Sequence, residues 1–150
     1  MPGTRCVSVS RTIDAPAEAI FAIIDDPSQH SRFDGSGTVK GARQPSRHLR
    51  LGDRFGMDMR MGIPYRITSK VVEYEENRLI AWAHFGGHRW RYELEPLDDG
   101  ARTRVTESFD WSTARFPPFI EWMKYPTKHV PAMERTLERL AEAVGSAPAS

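Results

Sequence analysis

The sequence predicts an α+β domain: a curved antiparallel sheet of seven strands, two short helices near its start, and a long C-terminal helix enclosing a cavity. Three observations predict it. From Gly52 to Trp111 apolar and polar residues alternate almost without a break, the period of two that marks strands with one buried and one wet face. Tight-turn signals divide that stretch into segments too close together for crossover helices, so the strands form an antiparallel meander. From Phe116 onward the apolar residues recur at three and four instead, which is helical spacing.

Residues 6–13 alternate, with Val7, Val9 and Ile13 on one face, and read as the first strand. Arg11 shares that face, an anomaly for a buried side. Asp14, Pro16 and Glu18 then open a helix: the first caps, the second suits the first turn, and the third favours the positive helix end. Ala19, Ile20, Ile23 and Ile24 form its apolar stripe, and Asp25, Asp26 and Pro27 close it. Residues 28–33 read as a second short helix, so that the two make a V plugging one end of the sheet. Strands follow at 37–44, 54–61, 65–74, 78–85, 88–97 and 101–111, with turns at Gly62–Pro64, Glu75–Asn77 and Asp98–Gly100. Gly86-Gly87 is a two-residue hairpin signal. In the sixth strand His88, Trp90, Tyr92 and Leu94 take one side, and Arg89, Arg91, Glu93 and Glu95 the other. Pro126 and Pro131 should bend or split the last helix, leaving a regular second half from about Ala132.

A chain of 150 residues is expected to be one domain, here residues 5–145 with a frayed tail at 146–150. With 21 basic and 20 acidic residues the net charge is +1, which gives no electrostatic reason to expect nucleic acid or an anionic membrane. Cys6 is the only cysteine, so no internal disulfide forms and a reducing cytoplasm is the expected compartment. The first residues lack the apolar core of a secretory leader. No stretch approaches the roughly 20 apolar residues of a membrane span, so no stable membrane insertion is expected. No cofactor is expected either: neither a GxGxxG fingerprint, nor a P-loop, nor a GxSxG elbow is present. A homodimer is left open.

The order and the residues resemble a family. IDAPAEAIF at 13–21, Asp26-Pro27 with His30 before an aromatic at Phe33, LGDRF at 51–55, VEYEEN at 72–77, IAW at 80–82, WRYELEP at 90–96 and TRVTE at 103–107 are similar to the helix-grip superfamily called SRPBCC. That superfamily includes START-type lipid binders, the birch-pollen-allergen type and aromatic polyketide cyclases. The nearest resemblance is to its polyketide cyclase/dehydrase branch, and it covers about residues 5–145. Position 33 is often Trp in that branch, and Phe33 keeps the apolar role. These motifs are mostly structural, so they specify fold better than chemistry.

Candidate site residues follow from which side chains face the hollow. Phe55, Met57, Met59 and Met61 share one face of the third strand; flexible, polarizable methionines suit a pocket for varied apolar ligands, and equally fill a core. A two-residue turn at Gly86-Gly87 would set Ala83 beside Trp90 and Ala81 beside Tyr92, with Ile80, Trp82 and His84 outward; a three-residue loop would reverse this. Small residues beside large rings leave room for the rings or for a ligand. Phe109, Met123 and Val130 complete the candidate lining. Glu107 and Arg11 both sit on apolar strand faces, and the first and last strands are expected to be neighbours. A buried carboxylate near a guanidinium is expensive unless paired; the two are either a structural ion pair or a ligand anchor and general base. His88 is either a solvated residue at the turn or an acid–base group facing the cavity. The five histidines and one cysteine show no metal-binding spacing. The expected function is binding of a small hydrophobic or amphipathic molecule (a lipid, polyketide or aromatic metabolite). The alternative implied by the resemblance is a cyclase- or dehydratase-like enzyme using Glu107, Tyr92, His88 and Arg11. A third expectation, ranked behind both, is a protein-interaction module with FPPF at 116–119 and Trp122 as its patch.

Overall fold

A computed structural model describes residues 6–26, 39–42, 48–61, 63–83, 87–113 and 125–145, without the side chains of 39–42, 57–61, 63–67, 125–129 and 145. Seven strands pair in the order β1-β7-β6-β5-β4-β3-β2, every neighbour antiparallel. They are β1 (Cys6–Ile13), β2 (Val39–Ala42), β3 (Arg54–Met61), β4 (Ile63–Glu75), β5 (Leu79–Ala83), β6 (Arg89–Leu97) and β7 (Arg102–Asp110). Helix α1 (Ala17–Ile24) follows β1, and helix α2 (Tyr125–Gly145) ends the described chain. The α2 helix packs on β1 and β7, while α1 packs on β6 and α2. This is the helix-grip arrangement. The second short helix expected at 28–33 lies outside the described residues.

Several local expectations are corrected. Helix α1 starts at Ala17 with Pro16 at the N-cap position and no side-chain cap, so Asp14 does not cap it; Pro16, lacking an N–H, presets the entry φ instead. The β3–β4 turn is tighter than Gly62–Pro64, because Met61 pairs with Ile63 and Arg60 with Pro64. Helix α2 runs unbroken from Tyr125 through Pro131. Pro126 lies in its first turn, where the N–H would have no partner, and Pro131 removes a single backbone bond that the packed apolar face outweighs.

The strand face beneath the helices carries the core: Phe55, Val71, Ile80, Trp82, Tyr92, Leu94 and Val105 meet Ile20, Phe21 and Ile24 of α1 and Leu137 and Leu140 of α2. A second cluster joins Phe109, Trp111 and Met133, with Val7, Val9 and Trp90 against it. In the β6–β7 turn Asp98, Asp99 and Gly100 all have positive φ, a conformation that short polar side chains and glycine tolerate best. A bulge between Val71 and Glu73 in β4 lets one strand bury Val71 inward and still send Glu73 outward, and such bulges sharpen local twist.

The β5–β6 register overturns the Gly86-Gly87 expectation. Trp82 pairs with Trp90 and Ile80 with Tyr92, while Ala81 faces Arg91 and Ala83 faces Arg89. The slip of one residue moves every side chain of β5 to the opposite face. Gly87 has φ +87°, the left-handed residue that closes longer hairpin loops. Burying the indole of Trp82 and the side chain of Ile80 outweighs the preference for the shorter turn.

Candidate functional site

The site grows from two adjacent strands. Tyr92 on β6 lies directly opposite Glu107 on β7, and Val9 of β1 lies on the other side of Glu107. All three face the helices. Glu107 is only 4 % exposed and Tyr92 equally so, and the Tyr92 hydroxyl donates to Glu107 Oε2 at 3.0 Å. A carboxyl group and a phenol are thus joined in the middle of a largely apolar sheet face, whose other buried polar side chains include Thr103 and Ser69. Such a group is costly to bury and is retained either by fold-specific pairing or by function.

Rings surround the pair. On the β5 side Phe55 meets Trp82 edge-on at 5.5 Å and Trp82 meets Tyr92 at 5.6 Å. Toward the other end Trp90 lies 4.8 Å from Phe109, and Phe109 stacks on Trp111 at 5.8 Å. His88 lies 5.3 Å from Phe109 and is half-buried. Burial pushes its pKa down and so favours the uncharged imidazole, and the ring lies against an aromatic wall, unlike the fully solvated turn residue that is one of the expectations.

The structure brings together Tyr92, Glu107, Trp90, Phe109 and Phe55 of the expected set on one face, with His88 at its rim. It separates others. Arg11 pairs with Val105, two residues along from Glu107, and is exposed; on an edge strand its long side chain reaches water instead of a carboxylate. Ala81 and Ala83 lie on the outer face. The space beside Ala81 belongs to an ion network: Arg91 grips Glu73 through Nε (2.9 Å) and Nη2 (2.7 Å), Arg89 adds Nη1 at 2.7 Å, and Arg91 Nη2 reaches Asp110 at 3.0 Å. Ala81 is fully covered beneath that fork. Met57 and Met59 hold register positions opposite Ile67 and Tyr65, and Met61 opposite Ile63; their side chains, and all of Met123, lie outside what is described. Val130 is half-buried on α2.

A second polar cluster was not apparent as a site in the sequence. Asp25 and Asp26, both 5 % exposed, end helix α1. His48 Nδ1 sits 2.7 Å from Asp25 Oδ1, and the Leu49 N–H donates to the Asp25 carbonyl at 2.7 Å, seating Leu49 in the core. Burial pushes the Asp25 carboxyl up, partly offset by His48; the hydrogen bond that the His48 ring donates to Asp25 raises His48, with Asp26 adding to it and Arg50 opposing. A histidine raised in the folded state contributes stability that is complete below its ordinary value of about 6.5 and lost as pH rises through the folded pKa. The raised Asp25 pKa has the same sign. The thermal midpoint is therefore expected to fall between pH 6 and pH 9, and the His48→Gln protein to show a shallower fall. Parallel midpoint curves for the two proteins would remove the clasp.

The fold and this concave aromatic face define a helix-grip protein of the SRPBCC type. The chain belongs to the polyketide cyclase / dehydrase and lipid transport family, which it matches over residues 4–145. It is 40 % identical over 145 residues to the uncharacterized protein Rv0088 of Mycobacterium tuberculosis, and spans 64 % of that relative's length. Protein NE0264 from Nitrosomonas europaea has a similar structure at TM-score 0.72 and 14 % identity, with 97 % of each chain covered. The AHSA1-like protein from Aeromonas hydrophila is similar at TM-score 0.61 and 19 % identity, with 97 % of this chain and 99 % of that chain covered. Among the described residues no helix is long and apolar enough to cross a membrane.

Proposed function

We propose that this protein binds a small hydrophobic or amphipathic molecule between the concave sheet face and helix α2, with Tyr92 and Glu107 as the polar anchor. One observation carries it: a buried carboxylate held by a buried tyrosine hydroxyl within a wall of rings. Mostly apolar linings with a few placed polar groups are the usual form of small-molecule sites. The family's description, which joins cyclisation chemistry with lipid transport, supports the same reading. Met57, Met59, Met61, Met123 and Val130 are the further lining we assign, in a domain spanning 5–145. The lone Cys6 favours a reducing cytoplasm.

Native mass spectrometry of the purified protein, with thermal shifts against a panel of lipids and polyphenols, tests this. A bound mass or a stabilisation of several degrees is expected; no stabilisation by any class sinks it. The second reading is an acid–base enzyme of cyclase or dehydratase type. It is favoured by the Tyr92–Glu107 hydrogen bond, across which a proton can shift. On that reading Glu107→Gln folds and loses turnover.

A further inference from the structure

The Asp25–His48 contact has one half in the protein and one half in water. The Asp25 side chain is 7 % exposed and the His48 side chain 62 %, and 2.7 Å separates Oδ1 from Nδ1. Asp25 cannot follow the histidine outward, because its N–H closes the last turn of α1 by donating to the Phe21 carbonyl at 2.8 Å. Asp26 lies buried beside it, Arg50 stands on the histidine's own segment, and Tyr74 of β4 with Glu76 just beyond it lie at the same corner. The contact fastens a short strap, residues 48–51. Leu49 is its one core side chain, and the Leu49 N–H donates to the Asp25 carbonyl at 2.7 Å; His48, Arg50 and Leu51 are exposed. The far end of the strap is fixed to β4: the Gly52 N–H donates to the Val71 carbonyl and the Val71 N–H to the Asp53 carbonyl, both at 2.9 Å. Gly52, at φ +87°, turns the chain there.

We propose that residues 48–51 are a pH-operated strap, fastened to the end of α1 at about pH 6 and released from it by about pH 9 while the sheet stays folded. Near pH 6 the pair holds one proton between its two groups, whichever of them carries it. Loss of that proton leaves a net negative charge on a pair whose acid half is out of water, with Asp26 adjacent, and burial disfavours that state. The hydrogen bond to Asp25 raises His48 and burial raises Asp25, so both shifts favour the pair that keeps its proton. The fastening is therefore complete below the ordinary histidine value of about 6.5 and lost as pH rises through the folded one. The loss is local because lifting the strap exposes one core side chain, whereas opening the sheet exposes the whole cluster. Leu49 belongs to the same core cluster as Phe21 and Phe55, so its departure uncovers the concave face at the α1 end.

Hydrogen exchange read by mass spectrometry at pH 6 and pH 9, corrected for the intrinsic rate at each pH, tests it on the full chain. In the wild type the protection of peptides over 48–53 and over the end of α1 is expected to fall about tenfold or more, while peptides from β6 and β7 change by less than about twofold. His48→Gln keeps a donor but carries no proton to lose, so its strap should be nearly as open at pH 6 as the wild type's is at pH 9, with no step between. Asp25→Asn keeps an acceptor for the ring and removes the buried charge, so its strap should stay protected at pH 9. A contact that merely packs would be weakened by both substitutions alike. The proposal is overturned if the wild-type strap keeps its protection at pH 9, if β6 and β7 lose theirs in the same proportion, or if His48→Gln shows the full step. The wild-type comparison of strap and sheet decides by itself should either variant not fold.

Discussion

Trp82→Ala is expected to destabilise the protein by about 3–5 kcal/mol, the usual range for removing a buried tryptophan, while Ala83→Leu, at the next residue of the same strand but on the outer face, changes stability by less than about 1 kcal/mol. Trp82 is 8 % exposed and packs between Phe55 and Tyr92, so its loss leaves a cavity bounded by rings that cannot all move inward. Ala83 pairs with Lys70 and Arg89 and is half-buried, so a longer side chain there lies among long polar ones at the solvent face and not in the core. The alternative hairpin, in which Gly86-Gly87 forms a two-residue turn, reverses the ranking: Ala83 would then face the core and Leu there would overpack it by about 1–3 kcal/mol. Urea midpoints of the two variants distinguish the registers. A Trp82→Ala loss below about 1 kcal/mol would mean that the indole faces water.

That register shows where the sequence stops being legible. Alternation identifies β6 and β7 because each carries charges on one side and apolar residues on the other. Strand β5 reads LIAWA, with no polar residue to mark its wet face, so parity is silent and the turn residues alone must decide. They favoured the wrong face because the covering of Ala81 comes from Glu73 and Arg91 on the flanking strands β4 and β6. Glu107 was visible as a lone charge on an apolar face. Its partner was not, since β7 has two neighbours and only the register tells that Tyr92, and not Arg11, stands opposite. The Asp25–His48 contact joins residues 23 apart and depends on how the chain returns after α1, which no local pattern encodes. In α2 the apolar spacing was a better guide than the prolines within it.

Arg91→Met should lower stability by about 2–3 kcal/mol at pH 7, because it strips partners from two carboxylates at once and charge-assisted hydrogen bonds of this kind contribute about 1.5–3 kcal/mol. Met keeps most of the aliphatic stem over Ala81, so lost packing is a minor part of the effect. Glu73 and Asp110 are 21 % and 14 % exposed, too dry for water to replace the guanidinium fully. The pH dependence carries the sign. Hydrogen bonds from Arg91, against burial and with help from Arg89, hold Glu73 below its ordinary value of 4.5. Burial works against Asp110 too, but Ser112 and Arg91 outweigh it and hold the group below 3.8. Carboxylates depressed in the folded state contribute stability that is present above their unfolded pKa and lost as pH falls through the folded one. The wild type should therefore lose stability steadily as pH drops below about 4.5. In Arg91→Met only the Ser112 hydrogen bonds oppose burial at Asp110, and only Arg89 still supports Glu73, so protonation becomes less costly and the acid loss flattens. The gap between the two proteins is expected to narrow by half or more between pH 7 and pH 3, read from denaturant midpoints at each pH. A gap that stays constant across that range would show that Arg91 acts through packing, and that the outer-face charges contribute nothing to holding β4, β6 and β7 in register.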